Sequence, residues 1–324
     1  MKYRRLGRTG FEASEIGFGA WAIGGNWGEQ RDSDSLEALE AAIENGVNFI
    51  DTAAGYGNGK SERIIGEFLK GRNDKVYVST KTPPLPGKWP PSPYCRIEDR
   101  YPEKYLRKNV EERLLNLQSD SLDILFLHSW TRAWNKNPRA LEILHEMKQE
   151  GMVRNVGIST PEHDQNSVIE LMRNGLLDVV QVIYNIFEQE PAAQLLPVAK
   201  EQDVGIVVRV AFDEGVLTGK YKGNETFADD DFRSRYFAGD RLQRAVNRVE
   251  NIRKDCKDVS LSMAELALKF ALSHEAVGTV IPGIRSKEQA VINTGVSELP
   301  DLSLDEIKRL QGHAWNRAFW YAGK

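Results

Sequence analysis

Eight short apolar runs, separated by amphipathic stretches, constrain this chain more than any other feature. The runs cover residues 15–20, 47–51, 75–81, 122–128, 153–159, 178–183, 205–211 and 277–281. Each is rich in Val, Ile, Phe or Leu with little alternation, the pattern of strands buried on both faces. Amphipathic segments lie between them. Leu36, Leu39 and Ile43 fall on one helical face, with Ser33 as the expected N-cap and Gly46 as the stop. Leu106, Val110, Leu114 and Leu117 form a second stripe, and Leu141, Leu144 and Met147, closed by Gly151, a third. Most strand starts lie within about 30 residues of the next, the length of one strand–helix unit. Eight such units predict an α/β chain folded as a (β/α)₈ barrel.

The chain has 324 residues, more than eight minimal units need. The surplus is assigned to an N-terminal hairpin over 2–14, extended loops after the third strand (82–101) and the seventh (212–240), and a C-terminal helical extension over 303–321. No linker with a composition shift interrupts the chain, so residues 1–324 are expected to form one domain. A doubly wound open sheet would need a Gly-rich phosphate turn after the first strand, and Gly17-Phe18-Gly19-Ala20-Trp21-Ala22 lacks the third glycine.

A net charge of −4 with no run of like charge gives no nucleic-acid footprint. No stretch approaches the ~20 apolar residues of a membrane span, and MKYRRLGRTGF has no apolar signal-peptide core. The two cysteines, Cys95 and Cys256, are far apart in sequence and fit a reducing, cytoplasmic setting. The expected partner is therefore a small molecule.

Three of the apolar runs end in a polar residue: Asp51 in VNFID, Lys81 in KVYVSTK and His128 in LDILFLH, with Tyr56 five residues past Asp51. On adjacent parallel strands ~5 Å apart these groups would converge at the strand C-termini, the active-site face of such barrels. Singly, each has a structural explanation: a cap, a solvated charge, a core imidazole, a loop aromatic. Together they form a proton-delivery set. A phenol with an ordinary pKa of ~10 is a poor acid near neutrality. An adjacent ammonium (Lys81) lowers that value, a carboxylate (Asp51) keeps the ammonium charged, and an imidazole N–H (His128) orients a carbonyl oxygen.

Two patterns were weighed as decoys. Gly57-Asn58-Gly59-Lys60-Ser61 resembles the end of a phosphate loop, but Ala54 stands where that pattern needs glycine, and Ser61 reads better as a residue near a helix N-cap. The histidines show no metal-ligand spacing.

GVNFIDTAAGYGNGKSERIIG, LHEMKQEGMVRNVGIS and IPGIRSKEQAVIN, in that order, resemble the signatures of the aldo-keto reductases, with the look of bacterial general-stress-protein and inositol-operon reductases. The resemblance implies the (β/α)₈ barrel, an NAD(P)H-dependent oxidoreductase, and a catalytic tetrad of Asp51, Tyr56, Lys81 and His128. It further implies that Ser159 and Gln181 hold a nicotinamide carboxamide, and that Gly283, Arg285, Gln289 and Asn293 hold the adenosine end. NADPH is expected, with NADH possible, because a guanidinium at Arg285 suits a 2′-phosphate.

Two departures stand out. Thr160 occupies a position usually held by Asn, and Arg209 a position usually held by an aromatic that stacks on the nicotinamide. A planar guanidinium can also stack, with Asp213 or Glu214 as the expected counter-ion. Trp21, Trp89 and Trp130 are the expected apolar substrate wall. The Pro-rich loop TPPLPGKWPPSPYCRIEDRYP reads either as part of that wall or as a packed cover. The aromatic tail from Trp315 to Tyr321 could dock on its own barrel, fold over the mouth or reach a second subunit; oligomeric state is not readable. The leading expectation is reduction of aldehydes or ketones. A cofactor-sensing regulator and a polyol or sugar dehydrogenase are the alternatives.

Overall fold

The computed structural model describes residues 1–25, 27–88 and 90–315. An antiparallel hairpin, β1 (Tyr3–Arg5) and β2 (Glu12–Ser14), precedes eight strands. These are β3 (Phe18–Gly19), β4 (Phe49–Asp51), β5 (Tyr77–Thr82), β6 (Leu122–Leu127), β7 (Val153–Ser159), β8 (Val179–Ile183), β9 (Gly205–Arg209) and β10 (Val277–Val280). They pair in parallel and in chain order. Bridges from Ile16 to Val280 and from Gly19 to Gly283 join the first strand to the last, so the sheet closes into the predicted (β/α)₈ barrel.

Parallel strands need crossovers, and the amphipathic segments supply them. The principal helices are α1 (Asp32–Glu44), α2 (Lys60–Leu69), α3 (Glu103–Leu117), α4 (Arg139–Gln149), α5 (Ile169–Arg173), α6 (Leu195–Glu201), α7 (Phe232–Tyr236), α8 (Arg241–Asp255), α9 (Met263–Leu272), α10 (Lys287–Gly295) and α11 (Leu304–Gln311). Their apolar faces pack on the outside of the barrel. The lower bore is filled by Phe49, Tyr77, Ile124, Phe126, Val179, Val207 and Ile281. Leu6, from the hairpin, plugs its base against Gly205 and Gly278. The bottom is therefore sealed, and ligands must enter from the strand C-termini.

Three details differ from the sequence-based expectation. Helix α1 starts at Asp32 with Arg31 at the N-cap, so Ser33 lies in the first turn and does not cap. Its buried face is Ser35, Ala38, Leu39, Ala41 and Ala42, while Leu36 is 41% exposed. This helix packs beside α10 on small side chains, which turns Leu36 outward. Among the described residues, the C-terminal extension is helical over α11, and Gly312–Trp315 follow without helical structure.

The long loops after β5 and β9 are where the sequence put them. The first is packed over part of its length, and its Pro90 lines the cavity above the strand ends. Tyr101 is buried and donates to the Ser129 carbonyl at 3.1 Å, Arg100 ties the loop to itself through the Leu85 and Lys88 carbonyls, and Trp134 donates to the Cys95 carbonyl. Among the described residues, no helix is long and apolar enough to cross a membrane.

Gly157, in the middle of β7, is a point where the barrel tolerates no side chain. An added Cβ would lie 2.4 Å from the Val179 carbonyl oxygen and 2.7 Å from the Phe126 ring. Gly157→Ala is expected to cost at least ~2 kcal/mol in chemical unfolding, because backbone and a core ring must both move. An unchanged unfolding midpoint would contradict the strand packing described.

Candidate active site

Asp51 ends β4, Lys81 is the penultimate residue of β5 and His128 directly follows β6, and the pairing registers bring them together. Asp51 is opposite Ser79 on β5, and Lys81 is opposite Phe126 on β6. Lys81 Nζ lies 2.5 Å from Asp51 Oδ2 and donates to the Thr52 carbonyl at 2.7 Å and to the Tyr56 hydroxyl at 3.2 Å. Both ion-pair partners are almost fully buried. The Tyr56 and His128 rings are 6.1 Å apart, edge to face.

Tyr56 reaches this point because its loop is tied down. The Thr52 hydroxyl donates to Ser61 Oγ at 2.8 Å, and Ser61 donates to the Ala20 carbonyl at 3.0 Å. Ser61 thus joins two loops and caps nothing. The loop crosses the one after β3 where Gly57, at φ 61°, faces Gly24; a Cβ on Gly57 would lie 2.1 Å from the Gly24 carbonyl oxygen. Only glycine permits that approach. Lys60 pairs with Asp32 at the surface, away from any phosphate-loop geometry.

Electrostatics separate the four groups. Burial, with the positive charges of Lys81 and Arg209, pulls His128 down to about 3, so its imidazole is neutral at neutral pH. Burial alone would favour a neutral Lys81. Asp51 and Tyr56, by charge and hydrogen bonds, outweigh it and hold the ammonium above its ordinary value. For Tyr56, burial pushes the phenol up and Lys81 pulls it down; burial wins. The phenol is therefore protonated, and the acidifying effect expected of Lys81 is outweighed because a phenolate in this site is poorly solvated.

A cavity of about 1650 Å³ opens above these residues. Ser159 and Gln181 lie on its floor: Ser159 Oγ donates to Gln181 Oε1 at 3.0 Å, and Gln181 Nε2 donates to Asp51 Oδ1 at 2.8 Å. The Thr160 hydroxyl is engaged by Gln165 and by the Gln181 carbonyl. Arg209 lines the wall, but the expected ion pair to Asp213 or Glu214 is absent among the described residues. Its Nη2 donates to the Thr160 carbonyl at 3.0 Å, and its Nε is buried with no hydrogen-bond partner. The chain turns away directly after it: Val210, Asp213 and Glu214 have φ of 56°, 47° and 55°. That is strained backbone, most of all for β-branched Val210.

Gly283, Arg285, Gln289 and Asn293 line the other end of the cavity. Gly283 has open space where a Cβ would stand. Arg285 is partly engaged: it donates to the Trp27 and Glu29 carbonyls, both at 2.7 Å, and to Gln30 Oε1 at 3.1 Å. Sequence reasoning missed two cations beside it. Lys220 and Arg233, from the loop after β9, face Arg285; burial and these like charges pull Lys220 and Arg285 down. Asp231 pairs with Arg233, and the Arg233 guanidinium lies 4.9 Å above the Trp27 ring. Nothing in the spacing of DDDFRSR marks Arg233, because a folded-back loop brings it there. This cationic end, the open glycine cradle and the orphaned Arg209 Nε fit an anionic dinucleotide.

Of the three tryptophans expected as a substrate wall, Trp21 lines the cavity, 6.0 Å from Tyr56 between ring centroids. Trp27 and Phe232, not singled out from sequence, join it at 5.3 and 5.2 Å. Trp130 does not belong there. It is fully buried, packs edge-on against Trp134 and donates to Asn135, because the chain turns inward after β6. Trp89 lies outside the described residues, as do Phe319, Trp320 and Tyr321. Trp315 docks on its own barrel: its backbone N–H donates to the Phe187 carbonyl at 2.8 Å, its ring packs edge-on against Phe187, and the residue lines the cavity.

The neutral imidazole gives a direct check. The His128 ring resonances are expected to stay constant in NMR from about pH 5 to pH 9, since the group titrates well below that window and below the ordinary value of ~6.5. A midpoint near 6.5 would contradict the geometry.

Comparison with known proteins agrees with this fold. The model of the "Aldo/keto reductase family" matches residues 15–314. The chain is 31% identical over 295 residues to the aldo-keto reductase YhdN of Bacillus subtilis, covering 89% of this chain and 86% of that protein. It is 27% identical over 319 residues to an NADH-specific methylglyoxal reductase of Escherichia coli, covering 92% and 95%. The holo structure of aldo-keto reductase AKR11C1 from Bacillus halodurans superposes with a TM-score of 0.76 at 26% identity, covering 97% of this chain and 96% of that one. With a family model spanning nearly the whole barrel, the chain belongs to the aldo/keto reductase family of NAD(P)H-dependent oxidoreductases.

Proposed function

We propose that this protein reduces aldehydes or ketones with NADPH, and that Tyr56 delivers the proton to the carbonyl oxygen. The observation that carries this reading is the contact between Lys81 Nζ and the Tyr56 hydroxyl at 3.2 Å, beneath the cavity. The phenol oxygen accepts from the ammonium, so its own proton is left to point elsewhere. As negative charge builds on a carbonyl oxygen, the proton of Tyr56 crosses to it, and the phenolate left behind is stabilised by Lys81. Asp51 keeps Lys81 charged. His128, neutral, cannot compete as the acid; an imidazole N–H steadies the same oxygen. The bound dinucleotide supplies the hydride.

Ser159, Gln181 and Arg209 are proposed to hold the nicotinamide end, with the Arg209 plane stacking in place of an aromatic ring. Gly283, Arg285, Gln289 and Asn293 are proposed for the adenosine end, with Lys220 and Arg233 adding positive charge for phosphates. That cationic cluster favours NADPH. One relative named for NADH makes the comparison worth measuring directly. Trp21, Trp27 and Phe232 form the apolar wall for the substrate.

The test follows NADPH absorbance over a panel of small aldehydes and ketones. Tyr56→Phe is expected to lose about 10²- to 10⁴-fold in kcat while binding NADPH as the parent does. Parental turnover in Tyr56→Phe would refute the mechanism. Slow turnover on every carbonyl despite tight cofactor binding would favour the sensing alternative, and faster polyol oxidation would favour a dehydrogenase. Arg209→Ala is expected to weaken NADPH binding and turnover; no change would remove its stacking role. Arg285→Leu is expected to raise the KM for NADPH roughly tenfold, with a much smaller change for NADH.

A further inference from the structure

Asp51 does more than face one lysine. Its two oxygens divide the work: Oδ2 takes the Lys81 ammonium, and Oδ1 accepts from Ser79 Oγ at 2.7 Å and from Gln181 Nε2 at 2.8 Å. Ser79 and Gln181 are both fully buried. Ser79 sits two residues before Lys81 on β5, so the strand's period of two aims both side chains the same way. Gln181 comes from β8, four strands away from β4 in a ring of eight, and reaches Asp51 across the bore. Behind it, Ser159 Oγ donates to Gln181 Oε1. An unbroken hydrogen-bonded chain therefore runs Ser159, Gln181, Asp51, Lys81, Tyr56.

We propose that Ser79 and Gln181 are positioning residues for proton delivery: they fix the Asp51 carboxylate so that it presents Lys81 to Tyr56, and Gln181 ties that arrangement to occupancy of the carboxamide subsite. This rests on the reading of Tyr56 as the acid. A carboxylate is symmetric and free to turn about its Cβ–Cγ bond. Two donors on one oxygen remove that freedom and leave the other oxygen for the ammonium. They also spread the negative charge of Asp51, which otherwise opposes loss of the Tyr56 proton. Gln181 has two N–H groups. One is held by Asp51, and the other is available to a carboxamide oxygen, so a ligand there pulls on the same amide that orients Asp51. The titratable and charged groups facing Tyr56 are Lys81 from β5, Asp51 from β4, His128 from the end of β6 and Arg209 from β9. His128 remains neutral across the working range, so a change at alkaline pH reports on the phenol and its lysine.

The decisive experiment is the pH dependence of kcat for Ser79→Ala beside the parent and Tyr56→Phe. Ser79→Ala is expected to lower kcat roughly tenfold, the effect of deleting one hydrogen bond to a charged group. The pH at which activity falls on the alkaline side is expected to move up by about half a unit to one unit, with KM and NADPH affinity within twofold. Ser79→Cys, close in volume and a weaker donor, is expected to lie between the two, and it serves as the readout if Ser79→Ala does not fold. Gln181→Met is expected to show the same alkaline shift together with weaker NADPH binding. Parental pH profiles in Ser79→Ala or, where that fails to fold, in Ser79→Cys would overturn the positioning role of Ser79. A parental profile in Gln181→Met would overturn the coupling to the carboxamide subsite. Either result alongside an inactive Tyr56→Phe would leave the acid assignment standing; an active Tyr56→Phe would remove that assignment itself.

Discussion

The buried Lys81–Asp51 ion pair is the constraint around which the upper barrel is organised. Removing two charges from water costs several kcal/mol per ion even after relaxation, and attraction between them returns that only if the remaining donors and acceptors are satisfied. Here they are. The Thr52 carbonyl and the Tyr56 hydroxyl take the other ammonium protons, and Ser79 and Gln181 fill the far carboxylate oxygen. Losing one member would leave the others as unpaired buried charges. The pair also sets its neighbours' chemistry: it keeps positive charge beneath a phenol and helps hold an imidazole neutral a few ångströms away.

The rest of the molecule positions this pair and encloses the space above it. The N-terminal hairpin plugs the base with Leu6, and the cavity lies at the strand C-termini. The segments after β3, β9 and β10 build much of its wall, and charge is unevenly spread along it. Lys220, Arg233 and Arg285 gather at one end, Trp21 packs beside Tyr56, and Trp27, which touches both Trp21 and the Arg233 guanidinium, joins the two. The backbone after β9 is strained: three non-glycine residues take positive φ within five positions.

How much of this was legible in the sequence varies with the range of the interaction. The eight strands and the positions of Asp51, Lys81 and His128 were readable because a strand buried on both faces leaves an apolar run, and a polar residue closing such a run marks the rim. Ser33 and Leu36 misled because a helix's start and rotation depend on what it packs against, and α1 packs on small residues beside α10. Trp130 misled for a related reason. Its position after a strand end matched the wall, but the direction of the following turn, which buried it against Trp134, is not encoded in spacing. Arg233, Lys220 and Trp27 went unnoticed because long loops return to the site from far along the chain.

The sequence alone determined the strand count, their order and the three polar residues at adjacent strand ends, because these follow from local periodicity and from the short distance between neighbouring strands. Tertiary structure decided what crosses the bore and the mouth. Gln181 meets Asp51 across 130 residues of sequence, and Arg285 is engaged by a loop more than 250 residues away from it. Such contacts leave no periodic trace. They arise only when the sheet closes on itself and brings opposite strands within the reach of a side chain.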